Sequence, residues 1–352
     1  MTAGVRVSEE DALALFHSRD LHAVGEMADF ANRRLNGDRV YFIVNRHINP
    51  TNICVNRCKF CAFSKGREEP LAYTMTMEEV LVRAEEARNQ HATELHIVGG
   101  LHPDLPFDFY LQMIRVLRER YPEMHIQAFT AVEIDYFSRI TGRPLGEILR
   151  ELKQAGLGSL PGGGAEIFAP EIRNRICPEK ISGERWLEIM EAVHGEGLRS
   201  NATMLYGHVE TLASRVDHMR RLRELQDRTG GFQSFIPLAF HPRNTGIAKG
   251  YTTGRDDLLS LAVGRIYLDN FRHVKSFWIM VGPKVAQVSL HFGVNDIDGT
   301  VVEERITHAA GAQAGQEMTV AELVDMIRQA GRIPVERDTL YNVIREWPDP
   351  AA

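Results

Sequence analysis

Strand-like and helix-like runs alternate along most of this 352-residue chain, and no other feature constrains its fold as strongly. Residues 40–44, 94–98, 124–129, 156–160, 200–204, 231–236 and 275–280 are short and apolar or alternating, as strands are. Between them, residues 77–89, 106–120, 145–154, 183–194, 211–229 and 256–270 place apolar side chains at helical spacing. Residues 290–297 read as a last strand and 319–328 as a late helix. Strand–helix repetition of this kind predicts a parallel sheet with helices outside. Seven or eight such units over about 300 residues predict an α/β fold, a (β/α)8 barrel of the TIM type, closed or nearly closed. The structural alternative, a doubly wound open sheet, is expected to carry a Gly-rich dinucleotide loop after its first strand. A cysteine loop stands there instead.

Residues 8–36 are helix-like, with Leu13, Leu15, Phe16, Leu21, Met27 and Ala31 at suitable intervals. The expected division is a helical N-terminal extension (1–39), the barrel (40–300) and a C-terminal extension packed on it (301–352). A hydrophobic share of 44% supplies a large core, and the net charge of -6 with no Lys/Arg run argues against nucleic-acid binding. Three of the four cysteines are clustered, which is no disulfide framework. The start, Met1-Thr2-Ala3-Gly4, lacks a charged-then-apolar signal segment, and no apolar run approaches a membrane span. A reducing cytoplasm is the expected location.

The loop is Cys54-Val55-Asn56-Arg57-Cys58-Lys59-Phe60-Cys61, a C-x3-C-x2-C spacing. Three thiolates can hold three irons of a cubane 4Fe-4S cluster and leave the fourth open to a reactant. Zinc asks for four ligands, usually in paired C-x2-C units, and Cys177 lies far along the chain, where it reads as a packed thiol. A zinc or redox sensor, or three inert buried thiols, are the competing readings.

Barrel active sites lie at the C-terminal ends of the strands, which sorts the other motifs. The second strand ends in Val98-Gly99-Gly100-Leu101-His102-Pro103, where two glycines allow either close backbone approach to a ligand or a tight turn. The fourth runs into Pro161-Gly162-Gly163-Gly164-Ala165-Glu166, a side-chain-free wall from which Glu166 projects. In the fifth, alternation puts Asn201 and Thr203 on one face, a candidate polar ligand surface. His208 and Glu210 follow, able to bond a substrate or each other, although Glu210 also suits the start of a helix. After the sixth stand His241 and Arg243, cations suited to a carboxylate or simply to solvent. Asp296 and Asp298, beside Gly293 and Gly299, read as a turn rather than a calcium loop.

The cysteine spacing is that of radical S-adenosylmethionine enzymes. Asn49-Pro50-Thr51-Asn52, Cys61-Ala62-Phe63, the glycine wall with Glu166, and Gly207-His208-Val209-Glu210-Thr211 resemble the radical enzymes of the futalosine route to menaquinone and the related deazaflavin-cofactor synthases. Ile167-Phe168, residues 235–240 and residues 336–341 are most similar to the aminofutalosine synthase branch; the cyclic dehypoxanthine futalosine cyclases share the first set of motifs. The resemblance implies a 4Fe-4S cluster on Cys54, Cys58 and Cys61, and S-adenosylmethionine as co-substrate, held by Phe60, Gly99, Gly100, Glu166 and Arg175. It implies that the deoxyadenosyl radical adds to 3-[(1-carboxyvinyl)oxy]benzoate, with aryl migration and loss of a carboxyl group, giving 6-amino-6-deoxyfutalosine. Asn201, Thr203, His208, His241 and Arg243 are the candidates for the substrate, with His208 and Glu166 as catalytic candidates. An electron donor such as flavodoxin or ferredoxin is implied; a nucleic-acid or membrane partner is not.

Overall fold

The computed structural model describes residues 5–347; Met1–Gly4 and residues 348–352 lie outside the described residues. Eleven strands are present among them. They are β1 (Arg39–Ile43), β2 (Asn45–Ile48), β3 (Glu94–Ile97), β4 (His125–Ala128), β5 (Ser159–Leu160), β6 (Arg199–Tyr206), β7 (Phe232–Ala239), β8 (His273–Val274), β9 (Asp296–Gly299), β10 (Ile333–Arg337) and β11 (Val343–Glu346). Strands β2 to β8 form a parallel sheet in chain order, each joined to the next through at least one helix. A second sheet runs β11-β10-β1-β9.

The two sheets are one ring. Only Val44 separates β1 from β2. Lys275 bridges Asp296 in parallel register, and the Ser276 N–H donates to the Asp296 carbonyl at 2.8 Å, which joins β8 to β9. The Tyr41 N–H donates to the Asn295 carbonyl at 2.8 Å, and the His47 N–H to the Val302 carbonyl at 3.0 Å, which returns β9 to the first stave. Eight parallel staves result, as the α/β barrel reading requires, with β8–β9 the thinnest seam. The expected last strand begins later than residue 290, at Asp296, and the Asp296–Asp298 stretch is strand rather than turn.

Local chemistry accounts for the helices. Residues Leu145–Ala155 bury Ile148, Leu149, Leu152 and Ala155 on one stripe and stop at Gly156, whose φ of 119° suits glycine. Capping boxes start Met77–Asn89 (Thr76 with Glu79), Ala131–Thr141 (Thr130 with Glu133) and Val320–Gln329 (Thr319 with Glu322). The N-terminal helical run is two helices, Glu9–His17 and Leu21–Asn36, because Asp20 caps the second through the Ala23 N–H. They lie against Leu212–Thr229 and Gly254–Tyr267.

The core sits between strands and helices. Leu95, Ile97, Ile126 and Ala128 point outward and are essentially inaccessible. By period two, Glu94, His96, His125 and Gln127 then point inward. Barrel interiors are ordinarily filled with layers of branched apolar residues. This lumen is polar instead: His47, His96, Gln127, Ser159, Asn201, Ser234, Lys275 and Asp298 occupy successive inward positions. No helix among the described residues is long and apolar enough to cross a membrane.

Candidate active site

The cysteine loop crowns β2 and leans on the end of β3. The Gly100 N–H donates to the Thr51 carbonyl at 2.8 Å, and the Val55 N–H to the Leu101 carbonyl at 3.0 Å. A Cβ on Gly100 would stand 2.2 Å from the Ile53 carbonyl oxygen, and one on Gly99 3.1 Å from that of Thr51. The glycine pair therefore has a structural duty: it lets the cysteine loop dock. The Gly99 N–H itself donates to Glu133 Oε1 at 3.3 Å.

Cys54, Cys58 and Cys61 are free thiols, Cys58 buried and the others half-buried. Among the described residues no three His, Cys, Asp or Glu side chains converge as ligands of a single ion. A cubane asks for a different arrangement, thiolates from one short loop each on its own iron, and three unpaired thiols at a barrel mouth fit it. Burial pushes the Cys58 thiol up to about 12, against the pull of Lys180. Such a thiol ionises when a metal replaces its proton. Cys177, remote in sequence, is close in space. The Lys59 N–H donates to the Ile176 carbonyl at 2.7 Å, and Cys177 adds to the upward push on Cys58.

Glu166 is buried in the left-handed region (φ 48°), at the end of the glycine wall. Its Oε1 meets Lys180 Nζ at 2.6 Å, and the ammonium sits 5.1 Å from the centroid of Phe60. Burial alone would lower the Lys180 pKa, but Cys58, Glu166 and Cys177 together hold it above its ordinary value. Lys180 thus ties Glu166, Phe60 and the cysteine loop into one cluster that motif spacing did not reveal. The expected arginine, Arg175, is exposed on Pro170–Ile176. Arg173, about 200° back round that helix, is the buried one. It donates to the carbonyls of Ala165 at 2.5 Å, Ile167 at 3.2 Å and Ile181 at 2.5 Å, bracing the wall.

The remaining candidates divide. Asn201 Oδ1 accepts from Ser234 Oγ at 2.9 Å, and Thr203 Oγ1 donates to the Gly162 carbonyl at 2.9 Å, so both face the lumen side of β6. His208 is 0% exposed. Its Nε2 donates to the Leu205 carbonyl at 3.0 Å, and its Nδ1 lies 3.2 Å from Glu210 Oε2. Glu210 also accepts from the Gly207 and His208 N–H groups and pairs with Arg215 at 2.8 Å. Burial opposes the Glu210 carboxylate, yet His208, Arg215 and the Gly207 N–H keep its pKa below the ordinary value. This is a latch that folds the loop after β6. His241 donates through Nε2 to the Met280 carbonyl at 2.9 Å and leaves a buried Nδ1 without a partner. Arg243 is exposed, its stem against Gly311.

Three lumen residues that the motifs passed over, His47, His96 and Lys275, stand below the mouth together with Asp298, which the sequence offered only as part of a turn. The His47 and His96 rings stack at 4.3 Å, and Lys275 pairs with Asp298 at 3.1 Å. Period two in Arg46-His47-Ile48 and Leu95-His96-Ile97 was the available signal. A cleft of about 620 Å³ opens between the cysteine loop and the loops after β7 and β9, touching Ala62, Phe63, Tyr73, Asn244 and Ala309.

Comparison with known proteins agrees with this geometry. The family model described as the radical SAM superfamily matches residues 48–222, and that of the CofH/MqnC C-terminal region matches residues 229–351. The aminodeoxyfutalosine synthase of Thermus thermophilus is 48% identical over 98% of this chain and 94% of its own length. That of Streptomyces coelicolor is 45% identical over 99% and 94%. The cyclic dehypoxanthine futalosine synthase of Streptomyces coelicolor is 38% identical over 99% and 88%. Among solved structures, the FeFe-hydrogenase maturase HydG from Carboxydothermus hydrogenoformans superposes with a TM-score of 0.75 at 16% identity, over 97% of this chain and 78% of its own. Methylornithine synthase, PylB, gives 0.74 at 15% identity, over 94% and 95%. The chain belongs to the radical S-adenosylmethionine superfamily, in the branch that carries the CofH/MqnC C-terminal region and includes the aminodeoxyfutalosine synthases.

Proposed function

We propose that this chain is an aminodeoxyfutalosine synthase, an adenosyl-retaining transferase that forms a carbon–carbon bond in menaquinone biosynthesis. The observation that carries the reading is near-full-length similarity to two such synthases, at 48% and 45% identity, above the 38% to the cyclase. When bound, a 4Fe-4S cluster and S-adenosylmethionine supply a deoxyadenosyl radical, which adds to the alkene of 3-[(1-carboxyvinyl)oxy]benzoate on the way to 6-amino-6-deoxyfutalosine.

The chain's own residues position and shield. Cys54, Cys58 and Cys61 hold the cluster at the mouth. Phe60, Gly99, Gly100 and Glu166 border the place for S-adenosylmethionine, and Lys180 fixes the Glu166 carboxylate there. Arg175 reaches the methionine carboxylate from the rim. Asn201, Thr203 and His241 face the aryl diacid, Arg243 meets it at the rim, and His208 shapes the loop above it. Holding radical and alkene in contact is worth many powers of ten in rate, and a closed mouth keeps water and stray hydrogen donors out. A small acidic electron-transfer protein, such as a flavodoxin or ferredoxin, supplies the electron, and an oxygen-labile cluster fits a reducing cytoplasm.

The test is anaerobic turnover of cluster-loaded protein with S-adenosylmethionine, a reductant and the aryl enol-ether diacid, read by mass spectrometry. The expected product joins adenosine to the aryl acid and lacks one carboxyl group. Free 5'-deoxyadenosine alone contradicts the synthase reading and points to the cyclase. Intact S-adenosylmethionine beside an intact cluster contradicts radical chemistry and returns the sensor reading.

A further inference from the structure

The barrel lumen holds a polar cluster that the site at the mouth does not use. His47 on β2 and His96 on β3 are register partners, with ring planes 9° apart. Lys275, just past β8, pairs with Asp298 on β9. The charges of Lys275 and Asp298 both act on the two imidazoles, which puts the two pairs in one neighbourhood. His96 keeps 20% of its side-chain surface accessible although it lies mid-strand and points inward. It therefore borders a hollow inside the barrel.

The cluster has donors to spare. The Lys275 ammonium has three N–H donors, and its one hydrogen bond to a described side chain goes to Asp298 Oδ1. His47 is 7% exposed, and its Nε2 is buried with no partner. One oxygen of each nearby acceptor is engaged: Asp298 Oδ1 by Lys275, Glu94 Oε1 by the Asn45 amide, and Gln127 Oε1 by the His96 ring. Burial holds both imidazoles neutral, His47 well below its ordinary pKa with a further push from His96. Replacing a buried ion pair by apolar side chains of equal volume is commonly neutral or stabilising. Stability thus gives no reason for a lysine, an aspartate and two histidines where barrels place branched apolar residues.

We infer that Lys275, with His47 and His96, forms an anchor at the floor of the lumen for the aromatic carboxylate of the substrate. Two N–H donors of Lys275 and the His47 ring meet the carboxylate, and the ring of the substrate rises toward the mouth. Depth agrees with this. Gly99, beside the cysteine loop, is three residues beyond His96, roughly 10 Å along extended chain. An aryl ring with a carboxylate on one side and an ether on the other spans most of that distance and leaves the alkene at the mouth. The anchor rests on the functional reading above, because it takes an aryl diacid as the ligand.

The test measures dissociation constants on cluster-loaded protein with S-adenosylmethionine and no reductant, so that nothing turns over. The two probes are 3-[(1-carboxyvinyl)oxy]benzoate and the same compound with the benzoate carboxyl as its methyl ester. Native protein is expected to prefer the free acid by about thirtyfold or more, the scale of a buried charge-assisted hydrogen bond. In Lys275→Met/Asp298→Asn, which leaves no charge unpaired, that preference is expected to fall to within about threefold, with the ester bound as before. His47→Phe keeps the ring stack and tests the anchor with both charges in place; it is expected to lose part of the preference. An acid-to-ester ratio unchanged in both variants overturns the anchor and leaves the synthase reading standing. Failure of native protein to bind the free acid overturns the synthase reading, and the anchor with it.

Discussion

Glu133 shows how much one buried carboxyl can decide. It caps its own helix from Thr130, and its second oxygen accepts the Gly99 N–H, so the helix start and the glycine pair share one side chain. Burial raises its pKa to about 7, although the Thr130 and Gly99 N–H groups pull the other way. The folded chain therefore keeps this proton to a higher pH than the unfolded chain, whose carboxyl titrates near 4.5. Its contribution to stability is complete below about pH 4.5 and is lost as pH rises through 7. The upper limit is about 3 kcal/mol, from 1.36 kcal/mol per pKa unit. Glu133→Gln removes the titration. Its stability relative to native protein is expected to improve between about pH 4.5 and pH 7 and to level off above that, by urea unfolding at each pH. A difference that stays flat across that range rules out a carboxyl with a raised pKa. The helix Ala131–Thr141 was not foreseen, and the second bond could not be, because Gly99 lies beyond another strand.

Elements were legible where the signal was local. The stretches at 77–89, 183–194 and 211–229 are helices at nearly those bounds, since amphipathic spacing and caps are short-range properties. Strand ends were less legible: the expected strand at 275–280 is β8 at His273–Val274 followed by a short helix, Trp278–Val281, and β7 runs on to Ala239 rather than 236. What escaped was pairing. Strand β5 shrinks to Ser159–Leu160 within the expected 156–160, and β10 and β11 were not foreseen; β10 pairs with β1, almost 300 residues away, and nothing local in sequence names that partner. Side-chain direction also escaped: Arg175 and Arg173 look alike in sequence, and only the helix face separates them. At this scale Gly100→Ala is the informative change. Its Cβ would meet the Ile53 carbonyl at 2.2 Å, a backbone atom that cannot swing aside. The cysteine loop must lift off β3 while the barrel below keeps its own hydrogen bonds. The expected outcome is loss of most cluster binding, measured as iron per chain after reconstitution, with the far-ultraviolet circular dichroism unchanged. Full iron loading in that variant is incompatible with this account of the loop.

At the scale of the molecule, the two matched family regions meet at about residue 225, yet the barrel does not stop there. Strands β7, β8 and β9 come from the second region and pair with β6 and β1 of the rest. The C-terminal residues then lock the seam from below. Arg337 on β10 meets Asp296 on β9 at 2.7 Å, with both side chains 2% exposed or less, and its guanidinium lies 4.1 Å from the Tyr341 ring. Tyr341 stacks on His273 of β8 at 3.7 Å and meets Tyr41 of β1 edge-on at 5.8 Å. One arginine and one tyrosine thus tie together the strands that close the ring, at the joint where β8 and β9 share a single bridge. Arg337→Met leaves Asp296 buried and unpaired, which costs about 3–5 kcal/mol. Arg337→Met/Asp296→Asn removes the stranded charge and is expected to recover more than half of that loss. Urea unfolding of native, single and double variants measures both quantities. A single variant within about 1 kcal/mol of native would show that the seam is held elsewhere. A double variant no better than the single would place the loss in the guanidinium–ring contact rather than in the ion pair. The same seam carries Lys275, one residue past β8, so the single variant is also expected to weaken binding of the aryl acid without touching the mouth. Stability and substrate recognition are coupled here through one strand, because a barrel whose lumen binds the ligand cannot loosen a stave without moving its floor.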